Sequence, residues 1–179
     1  MTEHPDTEPS RDAVIAFAGR VFDAARAGNA GALAEWLGQG LPPNMSNDKG
    51  DTLLMLAAYH GRPDAVRVLL EHGADPNRLN DRGQTPVAGA AFKGDLAVVE
   101  LLLQHGAQVD AAGADGRTAF MTAAMFNRVE IMQLLLARGA NAWARDAVGR
   151  TALDAARTMG ASEAMALLEG APPPTADPA

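Results

Sequence analysis

The apolar residues of this chain are spaced for helices rather than strands, and they return in blocks 33 residues apart. Four starts stand in register: Gly50 with Thr52, Gly83 with Thr85, Gly116 with Thr118, and Gly149 with Thr151. An alanine pair follows the first three starts, at Ala57 and Ala58, Ala90 and Ala91, and Ala123 and Ala124, and is followed by a hinge and a leucine-rich run. A unit of this size cannot bury its apolar face alone, so like units must stack in a row. The pattern predicts an all-α solenoid of stacked helix-turn-helix units joined by hairpin-like turns.

The unit from Asn80 to Ala112 shows the reasoning. Asn80 to Gly83 is a turn signal, and Thr85 before Pro86 reads as a helix start: the hydroxyl can satisfy a free amide, and proline suits the first helical position. A short helix is predicted through Phe92 to Lys93. Gly94 breaks it, as Gly61 and Gly160 do in their units. Asn127 takes that place in another unit, and asparagine is the side chain that best tolerates a left-handed backbone. A second helix is predicted from about Leu96 to Gln104, whose Val98, Val99, Leu101, Leu102 and Leu103 span so wide a sector that neighbours must cover it on two sides. Gly73, Gly106 and Gly139 are read as the ends of the second helices.

The register weakens at both ends of the array. Residues 11–46 keep Gly28, Leu33, Leu37, Gly40 and Asn44 in phase but lack the Gly-x-Thr start. There Val14, Phe17, Ala18, Val21, Phe22 and Ala25 predict one longer amphipathic helix, as expected of a cap. Full repeats are assigned to 47–79, 80–112 and 113–145. In the C-terminal cap repeat, 146–170, Arg157 and Glu169 replace residues that are Ala and Leu in the internal units, so its outer face turns polar. Residues 1–10, with three acidic side chains and two prolines, and 171–179, with four prolines, are expected to be disordered tails.

Composition narrows the function. The formal charge is -7 and no run of Lys or Arg occurs, which argues against a nucleic-acid binder. No cysteine is present, so neither disulfides nor thiolate metal sites can form. The N-terminus lacks the basic and apolar regions of a secretory signal, and no apolar run approaches the roughly 20 residues of a membrane span, so a cytoplasmic protein is expected. Serine occurs only at Ser10, Ser46 and Ser162, none in a nucleophile motif, and no phosphate-binding glycine loop is present. His72 and His105 hold equivalent places at helix ends, where they suit the helix dipole better than a metal. Asp48 with Asp51, and Asp75 with Asn77, read as turn residues rather than calcium ligands. No enzyme activity, cofactor or metal is expected.

Period and motif together resemble the ankyrin repeat family over about residues 15–170, on Asp81 to Pro86, Gly94 to Ala107 and Glu71 to Asn77. The set is similar to a small bacterial stand-alone ankyrin protein of five repeats, both caps included. One departure is that the family's Thr-Pro-Leu-His histidine is Met55, Ala88, Met121 and Asp154 here, and only one unit keeps the proline. The resemblance implies a non-enzymatic scaffold that binds a protein on the concave side formed by turns and first helices. It places Tyr59, His60, Phe92, Lys93, Met125, Phe126, Thr158 and Met159 toward that groove.

An apolar ladder of Tyr59, Phe92, Met125 or Phe126, and Met159 either faces a partner or packs on its own helix pairs. At the turn tips Asp48, Lys49, Asp51, Asp81, Arg82, Gln84, Asp115, Arg117 and Arg150 suit a polar rim, though solvated turns look the same. The alternative function is a structural or accessory role, by self-association or by stabilising a partner enzyme. The resemblance extends to bacterial proteins associated with oxidative-stress defence. A monomer, with at most weak self-association, is expected, with no membrane contact.

Overall fold

The computed structural model describes residues 10–170, and within them ten helices follow one another in five pairs. The pairs are α1 (Arg11–Ala27) with α2 (Ala30–Gly38), α3 (Leu53–Tyr59) with α4 (Pro63–Glu71), and α5 (Pro86–Lys93) with α6 (Leu96–Gln104). Then come α7 (Ala119–Met125) with α8 (Val129–Ala137), and α9 (Ala152–Met159) with α10 (Ser162–Glu169). The first helices pack in one row, α1, α3, α5, α7 and α9, and the second helices in another, so the expected all-α solenoid is what the chain forms. The tails assigned to residues 1–9 and 171–179 lie outside the described residues. Ser10, counted with the first tail, accepts a hydrogen bond from the Ala13 amide at 3.2 Å and caps α1.

The helix starts follow from one side chain used four times. The hydroxyls of Thr52, Thr85, Thr118 and Thr151 accept from the amides three residues on, at 3.1, 3.2, 3.2 and 3.3 Å. Each satisfies an amide that the first helical turn leaves free, an effect typically of about 1 kcal/mol. At the break between α7 and α8, Asn127 adopts φ 55°, a positive value shared by no other non-glycine side chain among the described residues. Its side chain also reaches the next unit, accepting from the Ala164 amide at 2.9 Å.

Buried columns run through the stack. Leu69, Leu102 and Leu135 are fully buried at equivalent places in α4, α6 and α8, and Leu168 continues the column in α10. The alanine pairs of α3, α5 and α7 are equally buried, which lets the first helices approach closely. At the N-terminal end Trp36 takes the place of the leucine, and Phe17 of α1 meets it edge-on at 5.3 Å. Val14, assigned to the apolar face of α1, is half-exposed beside the equally open Ile15. At the other end Arg157 and Glu169 meet at 3.1 Å on the outer side of the last pair.

Between units the backbone is tied twice. Asn44 accepts from the Asp75 amide at 2.8 Å, Asn77 from Gln108 at 2.8 Å, and Asp110 from Asn141 at 3.0 Å, joining successive loops. On the turn side the Asp81 amide donates to the Lys49 carbonyl at 3.1 Å and the Ala147 amide to the Asp115 carbonyl at 2.9 Å. These main-chain bonds join turns although the family's histidine is absent from the helices that follow them.

Candidate interaction surface

The face formed by the turns and first helices carries most of the residues singled out in sequence. Tyr59 ends α3, Phe92 lies in the last turn of α5, and Phe126 caps α7. Because each sits 33 or 34 residues after the last, stacking of the units brings the rings into one row. Tyr59 and Phe92 stack nearly parallel, 7° apart with centroids at 5.6 Å, and Phe92 meets Phe126 edge-on at 4.7 Å and 85°. The row is neither core nor free. Its rings pack on one another, yet Tyr59 and Phe92 remain 46% and 38% exposed while Phe126 is half-buried.

Beside the row lies a groove of about 340 Å³, lined by Tyr59, Phe92, Met125 and Phe126 from the helices and by Arg82, Gln84, Asp115 and Arg117 from the turns. Its floor comes from small side chains. Ala88 and Gly89 of α5 stand where α3 has Met55 and Leu56 and α7 has Met121 and Thr122, so the middle unit is recessed. Gly89 has no backbone need to be glycine: a Cβ there would meet only Tyr59, at 3.8 Å and beyond. A smaller depression of about 160 Å³ continues toward the last unit, sharing Arg117 and Met125 and adding Arg150, Thr158 and Met159. Met159 is 54% exposed.

Other expected positions stand apart. Lys49 lines neither depression, and His60 and Lys93 are exposed at the hinge edge. Asp51 is a correction to the turn-tip rim: it is only 7% exposed. Its carboxylate accepts from the Asn80 side-chain amide at 2.8 Å, and Arg82 approaches at 3.8 Å. Asn80, itself buried, also accepts from the amides of Arg82 and Gln84 at 3.1 and 2.9 Å, so Asp51 holds one turn to the next. The remaining tips are exposed but partly paired, Arg117 with Asp115 at 3.5 Å and Arg150 with Asp146 at 2.9 Å.

The electrostatics differ between the two edges. Hydrogen bonds from the Arg150 amide and side chain and from the Val148 amide hold the Asp146 carboxyl below its usual range. Asp154 is lowered by the Thr151 amide and hydroxyl in a capping box. Both carboxylates therefore serve their own turn and cap. At the hinge edge His60 is lowered by burial and then by Arg62, Arg26 and Lys93. Arg62 crosses the hinge above Gly28, donating to the Arg26 carbonyl at 3.0 Å, and Arg128 lies across Gly94 in the same way. At φ 82° and 87° Gly28 and Gly94 hold a backbone that other side chains rarely adopt, and a Cβ there would also push the crossing arginine aside.

His72 and His105 each place Nδ1 at the carbonyl four residues back, Val68 at 2.8 Å and Leu101 at 2.9 Å, at the helix ends where sequence put them. No group of three metal-ligating side chains occurs among the described residues, and no helix there is long and apolar enough to cross a membrane. Three features were missed in sequence: the recess at Ala88 and Gly89, the hinge cations Arg62 and Arg128, and Val148, 72% exposed at a turn tip. Aligning the units would have shown the first, since Ala88 and Gly89 are smaller than their counterparts in the flanking repeats.

Paired helices at a 33-residue period, with threonine capping the first helix of four pairs, define a class of protein. The chain belongs to the ankyrin repeat family, whose description "ankyrin repeats (3 copies)" matches residues 21–113 and 110–177. Ankyrin repeats generally mediate protein–protein interaction. Among individual relatives, the chain is 56% identical over 68 residues to a Pseudomonas aeruginosa protein named as an ankyrin repeat protein. That match covers 38% of this chain and 39% of the relative, so the chain spans well under half of the relative's length.

Proposed function

We infer that the chain is a binding module, without catalysis of its own, that holds a protein partner across the face of its turns and first helices. The observation that carries this reading is the row Tyr59, Phe92 and Phe126, continuous over three units, open to solvent and bordered by a recessed groove. Aromatic and methionine side chains surrounded by polar groups are what the centre of an interface requires, and few soluble chains leave such a row open without use. Arg82, Gln84, Arg117 and Arg150 form the rim on the turn side, and Met125 and Met159 extend the apolar floor.

Replacing Tyr59, Phe92 and Phe126 together with Ser tests the reading. Helicity by circular dichroism should be nearly unchanged, since none of the three is fully buried, while capture of the partner from a native lysate should be abolished. Capture that survives the triple substitution would contradict this site.

A further inference from the structure

Resting on that reading, we propose that the occupant of the groove is an acidic segment of a partner protein, with apolar side chains on the aromatic row and carboxylates on the hinge edge. Charge complementarity carries the inference. The chain is formally at -7, yet the hinges next to Tyr59 and Phe92 carry four cations: Arg62 lies across Gly28 and bonds the Arg26 carbonyl, Arg128 lies across Gly94, and Lys93 follows Phe92. Two acids share this edge: Asp23 pairs with Arg26 at 2.8 Å, and Asp95, which caps α6 by accepting from the Val98 amide at 3.1 Å, lies across Gly61 at the hinge between those of Arg62 and Arg128. Lys93 and Arg62 take part in no ion pair among the described residues. On the opposite edge Arg117 and Arg150 lie against Asp115 and Asp146, so both turn-side arginines are paired, whereas at the hinges, among the described residues, only Arg26 is.

The His60 pKa is lowered first by desolvation and then by Arg62, Arg26 and Lys93, and this second contribution agrees with positive potential at this edge. A bound carboxylate would relieve it. The rings favour a peptide over a nucleic-acid strand. Tyr59 and Phe92 lie parallel with centroids 5.6 Å apart and Phe126 meets Phe92 edge-on, so neighbouring rings take part of each other's faces. Strand binding needs free faces on which bases stack.

The test is selection of random 12-residue displayed peptides on the full chain, followed by binding of one synthesised winner to variants. Winners should carry Asp or Glu flanking an apolar residue, and binding should weaken with added salt. Lys93→Glu should weaken the winner by about three- to tenfold, Lys93→Gln by less, and Arg67→Glu on the exposed side of α4 should leave it unchanged. Winners without excess acid, yet still lost with Phe92→Ser, would overturn the charge assignment and leave the aromatic site standing. Winners indifferent to Phe92→Ser would remove the site itself. Displacement of the winner by a thymidine oligonucleotide, or a dimer mass in light scattering that the winner dissociates, would replace the proposed occupant with a nucleic acid or a second copy.

Discussion

The two sides of α5 are made from neighbouring residues and do opposite work. Ala90 and Ala91 are fully buried against α3 and α7, where any added volume would push the stack apart, while Gly89 and Phe92 look outward, one leaving a recess and the other standing beside it. The helix is thus scaffold on one side and surface on the other. Side chains whose burial the repeat requires are nearly uniform from unit to unit, as at Leu69, Leu102 and Leu135, and the more open column of Tyr59, Phe92 and Met125 varies. The difference teaches that stability and binding should come apart under substitution, although the residues are adjacent.

The largest effect is expected in the buried column. Leu102→Ala removes a fully buried side chain with matching leucines in α4 and α8, and should cost about 2–5 kcal/mol in denaturant unfolding while partner binding persists in the folded fraction. Next comes the tie between turns. Asn80→Ala deletes three hydrogen bonds of its own turn and leaves the Asp51 carboxylate without its 2.8 Å donor, at a cost of about 1–3 kcal/mol by the same measurement. An Asn80→Ala chain as stable as the parent would return Asp51 to the rim.

Gly89→Ala should act in the opposite direction. Glycine inside a helix is less stable than alanine by roughly 0.5–1 kcal/mol, and the site admits a Cβ at ordinary contact distance, so this variant should unfold at higher denaturant. Gly89→Met, which fills the recess, should weaken binding; unaffected binding would show that the groove is not used. The smallest effect is a titration. With His60 held below its ordinary pKa, the unfolded chain takes up the proton first as pH falls below about 6.5, so the small contribution of this group to stability declines from there downward. Lys93→Met removes one of the cations responsible, and NMR titration should show the His60 pKa move up.

Much of the scaffold was legible because its causes are local. Threonine caps, the Asn127 hinge and the polar outer pair of Arg157 and Glu169 each depend on residues a few positions apart or on simple comparison of units. The site was legible in part. Tyr59, Phe92 and Phe126 stood out as large residues where packing did not demand them, but that Tyr59 and Phe92 stack while Phe126 turns edge-on depends on how the units tilt. Asp51 was misplaced at the rim because its partner, Asn80, lies 29 residues away and a turn aspartate looks the same whether solvated or held by a neighbour. The hinge cations were hidden for a similar reason: Arg62 and Arg128 meet the hinges of the preceding units only once they cross Gly28 and Gly94.

The central claim, that the open aromatic row and not the core or the outer helices meets the partner, is tested most directly by hydroxyl-radical footprinting of the full chain with and without its bound partner or a selected peptide. Tyr59, Phe92 and Met159 should lose reactivity on binding, while Leu79 and Val14, exposed elsewhere, should not change. Protection of Leu79 or Val14 with Tyr59 and Phe92 as reactive as before would contradict it.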